Sequence, residues 1–202
     1  MGRPARKKGA IERAALELFV EKGVDGTSIR DIAERAGVTE GALYRHHKSK
    51  SDLVRALFVE NYQHFARVLA DFDQPGARFD ETISRVVMAF FTLFDEDPYV
   101  FNFVMVTRHH LLEEVRNSED NPIEYLRSML RRGVERGDLP EQNLELTTQL
   151  MLGMVLQVAV GHRFGALGSS LADLAEQVSR CCVLVANYGG EEAQEAEAVA
   201  GD

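Results

Sequence analysis

Three side chains that donate hydrogen bonds at long reach stand next to one another at Tyr44, Arg45 and His46. Two lysines follow them closely, at Lys48 and Lys50. Donors of this kind bind phosphate oxygens and the edges of nucleic-acid bases. The lysines flank the start of a predicted helix, where the positive helix end already favours a phosphate. The chemistry that this cluster predicts is recognition of a polyanion.

Two short helices must position this cluster. Ala33 and Ala36 are small enough to let the two helices approach closely, and Gly37 permits a sharp turn between them. Val38 and Leu43 are expected to fill the inner face and fix the crossing angle. This pattern is typical of a helix-turn-helix unit.

Capping residues mark where each of these helices begins. Ser28 and Asp31 fit the capping-box pattern at the start of the first helix, and Thr39 suits the N-cap of the second. The short side chains of Gly41 and Ala42 would let the backbone of the second helix approach a major groove. The outer face of the second helix is therefore the predicted contact surface.

Base specificity stays open at two positions on this face. Arg45 has the geometry to bind guanine through two hydrogen bonds. Glu40 could accept a hydrogen bond from cytosine, but a carboxylate in the first turn of a helix is also stabilised by the helix dipole, and we favour that second role.

Apolar residues recur at helical spacing along the whole chain, and no stretch alternates with the period of a strand. Asp97-Pro98 and Asn121-Pro122 each place a capping residue before a proline. Ser170 fits the cap of the last helix. The sequence predicts an all-α protein of nine helices. The first, second, third, sixth, seventh and ninth run at about 8–22, 27 or 28 to 36, 39–47, 98–112, 122–136 and 170–188, and the fourth, fifth and eighth begin near 51, 79 and 143.

Charge is distributed unevenly along the chain. Residues 1–50 hold 11 basic and 7 acidic side chains, whereas residues 51–202 hold 12 basic and 25 acidic ones, in a chain with a formal net charge of −9. This asymmetry favours a polyanionic partner for the first part, although a chance excess on a solvated face is the alternative. Residues 189–202 are rich in Gly, Ala and Glu, and we expect an acidic, disordered tail there.

The sequence also bears on location and redox chemistry. No apolar region follows the basic N-terminus, so a secretory signal is not expected. The longest nearly apolar run, residues 150–161, is shorter than the ~20 residues that span a bilayer. We therefore expect a cytoplasmic protein without a membrane partner. Cys181 and Cys182 cannot form a disulfide framework or a four-ligand zinc site, and either packing or a redox role remains open for them.

The stretch from Thr27 to His46, TSIRDIAERAGVTEGALYRH, resembles the N-terminal domain of tetracycline-repressor-type (TetR/AcrR) regulators. The following Lys50-x-x-Leu53 and a preceding helix that ends before Gly23 fit the same family. The resemblance implies a homodimeric, usually repressing transcription factor that has no enzymatic activity and that binds a palindromic operator in double-stranded DNA. A two-fold dimer on such an operator holds its reading helices about 34–36 Å apart.

The resemblance also implies two functional domains along the chain. Residues 1–50 would form the DNA-binding domain, and residues 51–188 would bind a small-molecule effector and dimerise. With Lys48 added from its place beside the helix start, the predicted DNA-binding residues are Thr27, Ser28, Thr39, Gly41, Tyr44, Arg45, His46, Lys48 and Lys50.

One residue departs from the family pattern. His47 stands where the family usually has a phenylalanine that packs the third helix against the fourth. We expect a packing role for the imidazole, with its ring edge exposed. Partial hydration and a phosphate contact are the alternatives.

The rest of the chain is expected to dimerise and to hold an apolar or aromatic effector. Residues 150–161 are apolar nearly all round, which predicts a helix buried on every side, and residues 171–185 form a broad apolar stripe. In the family these last two helices form the dimer interface; a monomer core is the alternative. Aromatic and methionine side chains predict an apolar cavity, although each could instead be core. The predicted ligand-binding residues are Tyr62, Phe65, Phe91, Phe94, Phe101, Met105, His109, Tyr125, Met129 and Met154.

Other functions find less support. His109 with Glu113 and His110 with Glu114 have the spacing of metal ligands on one helix face, but without a third ligand we favour surface ion pairs and expect no metal. A helical enzyme would need a catalytic constellation, and the sequence offers none beyond two isolated histidines. No phosphate loop or dinucleotide fingerprint is present, so no cofactor is expected. A helical ligand-binding protein or enzyme with a vestigial DNA-binding domain remains the alternative.

Overall fold

The computed structural model describes residues 3–72, 76–115 and 121–200, with side chains for 6–72, 76–105, 111, 115 and 121–188. Over this part of the chain the structure contains nine α-helices and no strand, which confirms the predicted all-α class. The helices are α1 (Arg3–Lys22), α2 (Ile29–Arg35), α3 (Glu40–Tyr44), α4 (Lys50–Phe72), α5 (Phe79–Glu96), α6 (Pro98–Val115), α7 (Pro122–Glu135), α8 (Leu144–Arg163) and α9 (Leu171–Ala200).

The helix starts follow local capping chemistry. The side-chain oxygen of Asn121 accepts a hydrogen bond from the backbone N–H of Ile123 before α7, and Asn143 does the same for Leu146 before α8. Asp97 is different, because its carboxylate accepts from Arg13. The predicted cap of α6 by this aspartate is therefore corrected: the structure uses the side chain to hold α6 against α1.

α1 and α9 extend furthest beyond their predicted ends. α1 begins at Arg3 because a proline is tolerated in the first turn of a helix, where its missing N–H has no partner to lose. α9 continues to Ala200, twelve residues past its predicted end, and the disorder predicted for residues 189–202 stays a prediction. Glu, Ala and Gln all favour a helix, and a helix that is already formed extends at little cost.

The chain forms two compact units. The first comprises Met1–Gln63 with Asp97–Ser118, and the second comprises His64–Glu96 with Glu119–Asp202. This division differs from the boundary at residue 50 because α6 packs on α1, where the rings of Phe19 and Phe103 stack with their centroids 5.8 Å apart. The functional division at residue 50 stays a prediction.

Each unit has its own apolar core. In the first, Ile11, Leu18, Leu43, Leu53 and Phe58 are almost completely buried. In the second, α5 packs along α9, with α7 and α8 beside them. The most deeply buried large side chains of the second unit are Val87, Phe91, Leu130, Met151 and Leu171.

The last turn of α5 also fixes the start of α9. The carboxylate of Asp95 accepts hydrogen bonds from the backbone N–H groups of Leu171 and Ala172, at 3.4 and 3.1 Å. These are N–H groups of the first turn, which have no partner inside the helix. Asp95 thus caps α9 from a distant part of the sequence.

α8 departs from two expectations. Within the described residues it is the one helix long and apolar enough to cross a membrane by length and composition, which the count over residues 150–161 did not indicate. The prediction that residues 150–161 are buried on every side is wrong for the single chain, since Leu150 is 49% exposed and Gly153 and Gln157 are also exposed. Core helices of soluble proteins share this composition, so it does not indicate a membrane span by itself.

Candidate nucleic-acid interface

α2 begins with the predicted capping box. The hydroxyl of Ser28 accepts from the backbone N–H of Asp31 at 3.1 Å, and the Asp31 carboxylate accepts from the backbone N–H of Ser28 at 2.9 Å. Hydrogen bonds from Ser28 lower the pKa of the Asp31 carboxyl. Gly37 adopts a positive φ of 64° after α2, which supplies the predicted turn.

α3 presents its outer face to solvent. Its start is capped by Thr39, whose hydroxyl accepts from the backbone N–H of Ala42 at 3.2 Å. Leu43 is completely buried, whereas Tyr44 is 50% exposed and Arg45 is also exposed. The buried leucine therefore anchors the helix while the long donors on the other side stay available.

Gly41 is exposed on the same helix and has no packing role inside the chain. A Cβ built at this position would meet no heavy atom within 4 Å. A larger side chain would fit the free protein, although glycine weakens a helix relative to alanine. Gly41 therefore leaves open space on the outer face of α3.

The predicted phosphate contact of the Thr27 hydroxyl is wrong. Thr27 is 1% exposed, and its hydroxyl donates to the carbonyl oxygens of Gly23 at 2.8 Å and Leu18 at 3.2 Å. The hydroxyl thus closes the turn after α1 and cannot reach a phosphate. Ser28 remains exposed, although its hydroxyl also donates to the Asp31 carboxylate at 2.7 Å.

Lys50 has an internal role that the sequence did not indicate. Its ammonium donates to the carbonyl oxygens of Val24 at 2.8 Å and Thr27 at 2.9 Å. It therefore ties the loop between α1 and α2 to the start of α4. Lys48 is exposed, and His46 is half-buried.

His47 is buried, as a packing role requires, but its ring edge is not exposed. The side chain lies with Nε2 3.5 Å from Glu12 and Nδ1 3.9 Å from Asp52, and Nε2 makes no hydrogen bond within the described part of the chain. Burial is the main influence on the imidazole and lowers its pKa, while the carboxylates of Glu12 and Asp52 oppose that shift. The neutral ring is therefore the favoured form.

Ion pairs that could not be predicted from sequence spacing hold α2 against α1. The guanidinium of Arg35 donates to Glu21 at 3.0 Å and lies 3.4 Å from Glu17. The hydrogen bond from Arg35 lowers the pKa of the Glu21 carboxyl. The partners are 14 and 18 residues apart in sequence, outside any helical repeat.

The predicted ligand-binding residues are distributed over both compact units. In the first unit Tyr62 and Phe101 are buried and Met105 is half-buried. The side chain of His109 lies outside the described residues, as do those of His110, Glu113 and Glu114. In the second unit the structure buries or half-buries Phe65, Phe91, Phe94, Tyr125, Met129 and Met154.

Aromatic contacts connect some of these side chains within the second unit. Phe65 lies against Phe90 with ring centroids 5.5 Å apart, and Phe94 meets His162 edge to face at 6.0 Å. His162 was not predicted as a site residue, because its neighbours come from α5. Its Nε2 lies 3.9 Å from the Asp95 carboxylate, and its Nδ1 is buried without a hydrogen-bond partner among the described residues.

Two open grooves lie elsewhere in the second unit. One, of about 710 Å³, lies between α5 and α9, and the other, of about 590 Å³, lies between α4 and α5. None of the ten predicted ligand-binding residues lines either groove. The effector cavity therefore stays a prediction.

Metal and thiol chemistry have little support in the described part of the chain. No group of three or more His, Cys, Asp or Glu side chains there is arranged to hold a metal ion. Cys181 is exposed, and Cys182 is buried. Burial raises the pKa of the Cys182 thiol to about 11, so this thiol stays protonated and unreactive.

Comparison with known proteins connects this geometry to one group. The family model described as "Bacterial regulatory proteins, tetR family" matches residues 11–57. The HTH-type transcriptional regulator SrpR of Pseudomonas putida is 31% identical over 144 residues, which cover 68% of this chain and 65% of SrpR. The alignment thus spans just under two thirds of that relative.

Two further similarities extend over more of the relatives' length. The fatty acid metabolism regulator protein of Bacillus subtilis is 26% identical over 150 residues, which cover 70% of this chain and 76% of that protein. The crystal structure of the transcriptional regulator FadR from B. subtilis in complex with stearoyl-CoA has a TM-score of 0.75 and 22% identity, covering 89% of this chain and 97% of that one. At this identity the structural match shows a shared fold.

Proposed function

We propose that the chain is a DNA-binding transcriptional regulator of the tetR family, most simply a repressor, that binds a palindromic operator as a homodimer. The observation that carries this proposal is the outer face of α3. Tyr44 and Arg45 are exposed there beside Gly41, on a helix anchored by the buried Leu43.

This face has the features that docking in a major groove requires. Gly41 leaves space for the helix backbone to approach the bases, and Tyr44 and Arg45 reach phosphates or base edges. Ser28, Thr39, His46 and Lys48 are the flanking contacts in this proposal. Thr27 and Lys50 act instead through the loop that they hold in place.

A dimer interface on α8 and α9 accounts for apolar side chains that the single chain leaves uncovered. Leu146 and Leu150 of α8 and Leu184 and Tyr188 of α9 are all about half exposed or more. Monomeric proteins rarely expose contiguous apolar patches larger than a few hundred Å². A two-fold dimer would cover this surface and give each half of the operator one reading helix.

α4 connects the two compact units, so it can transmit the binding of an effector and release the protein from DNA. Residues 50–63 of this helix belong to the first compact unit and residues 64–72 to the second. An effector that binds one conformation of the second unit more tightly would shift the protein towards that conformation. Because α4 runs through both units, this shift would change the position of α4 and lower the affinity of α3 for DNA. Phe65, Phe91 and Phe94 favour an apolar or aromatic effector. The stearoyl-CoA in the complex of the B. subtilis regulator makes long-chain acyl-CoA thioesters suitable first candidates.

We infer that the protein acts in the cytoplasm, where its DNA is, and has no enzymatic activity. The alternative is a ligand-binding protein or enzyme with a vestigial DNA-binding unit. Such a protein would not need exposed Tyr44 and Arg45 side chains next to a glycine at position 41. Turnover of a small molecule that is lost in His109→Ala would support that alternative.

Genomic DNA fragments selected by the purified protein provide the test. The variants Tyr44→Ala, Arg45→Ala and Gly41→Leu should each fold and should bind the selected fragment about 10- to 100-fold more weakly in a fluorescence anisotropy titration, as expected for loss of one good groove contact. Arg131→Ala on α7, which removes an exposed arginine outside this face, is the matched control and should bind as the wild type does. Unchanged affinity in all three α3 variants would overturn the assignment of the reading helix.

A further inference from the structure

His47 is a buried titratable side chain in the segment that joins α3 to α4. Its backbone N–H donates to the carbonyl oxygen of Leu43 at 3.0 Å, so the segment continues directly from the residue that anchors α3. Only 3% of His47 is exposed. Its chain neighbours His46 and Lys48 are two of the flanking contacts in the proposed function. A buried imidazole thus stands, in sequence, between two residues that we expect to contact DNA.

Two carboxylates from different helices face this imidazole. Glu12 of α1 lies 3.5 Å from Nε2, and Asp52 of α4 lies 3.9 Å from Nδ1. Nε2 is buried and makes no hydrogen bond within the described part of the chain. A neutral imidazole donates through only one nitrogen, whereas a protonated imidazole donates through both. Each nitrogen of the charged ring would therefore have a carboxylate near it.

The free protein favours the neutral form of this ring. Burial is the main influence and lowers the pKa of His47 below its ordinary value of 6.5. The charges of Lys8 and His46 act in the same direction. The carboxylates of Glu12 and Asp52 oppose the shift. Additional negative charge close to the ring would move this balance towards the protonated form.

Duplex DNA would supply such charge near His47. Lys48 is exposed, and its backbone N–H donates at 3.0 Å to the Asp52 carboxylate, which is also the one that faces Nδ1. Adjacent Cα atoms are about 3.8 Å apart, so a phosphate bound by the Lys48 side chain would lie on the order of 10 Å from the imidazole. That is about one Debye length at 0.1 M salt, and a buried group is screened less than an exposed one.

We propose that binding of duplex DNA is coupled to the uptake of a proton by His47. This inference rests on the proposed function and adds its regulation by pH, through a residue that does not itself touch DNA. The protonated ring would donate to Glu12 and to Asp52, bridging α1 and α4 and holding the carboxylate that binds the Lys48 backbone. His47 is thus a positioning residue. Affinity for DNA rises as the pH falls, because the complex takes up the proton at a higher pH than the free protein does.

The test is the pH dependence of binding to the selected genomic fragment. Fluorescence anisotropy gives the association constant K of the wild type between pH 7.5 and 5.5 at constant salt. Uptake of one proton limits the slope of log K against pH to about −1 per subunit, and we expect affinity to rise about 3- to 10-fold per bound subunit over this range. Calorimetric titration at pH 6.5, in two buffers of different ionisation enthalpy, measures the same proton uptake at a single pH.

Variants assign the proton to one residue. His47→Phe should remove the His47-dependent rise in affinity, and Glu12→Gln should reduce it because one of the two facing carboxylates loses its charge. His46→Gln should bind DNA more weakly but keep the rise. His64→Gln, at an exposed histidine of α4, is the matched control and should keep the wild-type slope and affinity.

The outcomes separate this proposal from the one on which it rests. A rise that persists unchanged in His47→Phe, or that disappears in His46→Gln, overturns the coupling and leaves the regulator intact, provided that Tyr44→Ala still weakens binding. A wild-type protein that takes up no proton in the calorimetric titration also overturns it. If the wild type binds no duplex at any pH, the proposed function fails, and the coupling fails with it.

Discussion

His47 is a residue at which burial and charge act in opposite directions on one imidazole. Burial lowers its pKa, and the nearby carboxylates of Glu12 and Asp52 raise it without overcoming the effect of burial. In the unfolded chain the same ring titrates near its ordinary value of 6.5. Below that pH the unfolded chain binds a proton more readily than the folded one does. Stability is therefore complete above about pH 6.5 and falls as the pH drops towards the lowered pKa of the folded state.

His47→Phe removes this proton linkage and restores an apolar ring at a buried position. We expect the variant to be at least as stable as the wild type at pH 7.5, because a buried Nε2 without a partner is lost. Its advantage in free energy of unfolding should grow as the pH falls from 7 to 5, measured by urea denaturation. His64→Gln, at an exposed histidine of α4, is the control. A stability difference that stays constant over this pH range would contradict the assignment.

At the scale of helices, sequence reasoning succeeded where the determining contacts are local. Ser28 and Asp31 are three residues apart, and Gly37 takes its positive φ directly after α2, so the helix-turn-helix could be predicted from neighbouring residues. The Thr27 hydroxyl was misassigned because a chain position beside a helix start does not show which carbonyl oxygens lie within reach. Lys50 was assigned to a phosphate for the same reason, since its carbonyl partners are 23 and 26 residues away.

The docking of α6 on α1 could not be predicted from the sequence, because its polar partners are 84 residues apart. The Arg13 guanidinium donates to Asp97 and to Glu17, the latter at 2.7 Å, and lies 5.2 Å from the centre of the Tyr99 ring. These groups join the start of α6 to the middle of α1 in one ionic and aromatic cluster. A cluster of this kind should contribute at the upper end of the roughly 0–1 kcal/mol that is usual for an isolated surface pair.

A double-mutant cycle at Arg13 and Asp97 measures that contribution. Asp97→Ala alone should lower the free energy of unfolding by about 1 kcal/mol, and the cycle with Arg13→Ala should give a coupling energy of about 0.5–1 kcal/mol in urea denaturation. The pair Arg78 and Asp80, whose side chains are 70% and 46% exposed, is the control and should couple more weakly. Additive effects at Arg13 and Asp97 would mean that this ion pair makes no measurable contribution to the docking of α6 on α1.

At the scale of the whole molecule, the shortness of α3 explains why the protein would need the dimer face on α8 and α9. A helix of five residues, α3, offers few contacts by itself, so high affinity for an operator requires two copies that bind together. Tethering two binding units raises the overall affinity by about 10²- to 10⁴-fold through effective concentration. In the proposed dimer, the face formed by α8 and α9 would therefore contribute to DNA affinity without touching DNA.

Leu150→Glu places a charge in that face and should convert a dimer into a monomer in analytical ultracentrifugation, because an unpaired carboxylate in an apolar interface is costly to bury. Leu150 is 49% exposed in the single chain, so the monomer should keep its helical circular dichroism. Affinity for the selected operator fragment should fall about 10²-fold or more, since the two reading helices no longer bind as one unit. Met88→Glu alters a comparably exposed apolar residue of α5 and should leave both the dimer and the affinity unchanged. A wild-type chain that sediments as a monomer at micromolar concentration, yet binds its operator tightly, would refute the argument that affinity depends on the α8–α9 face.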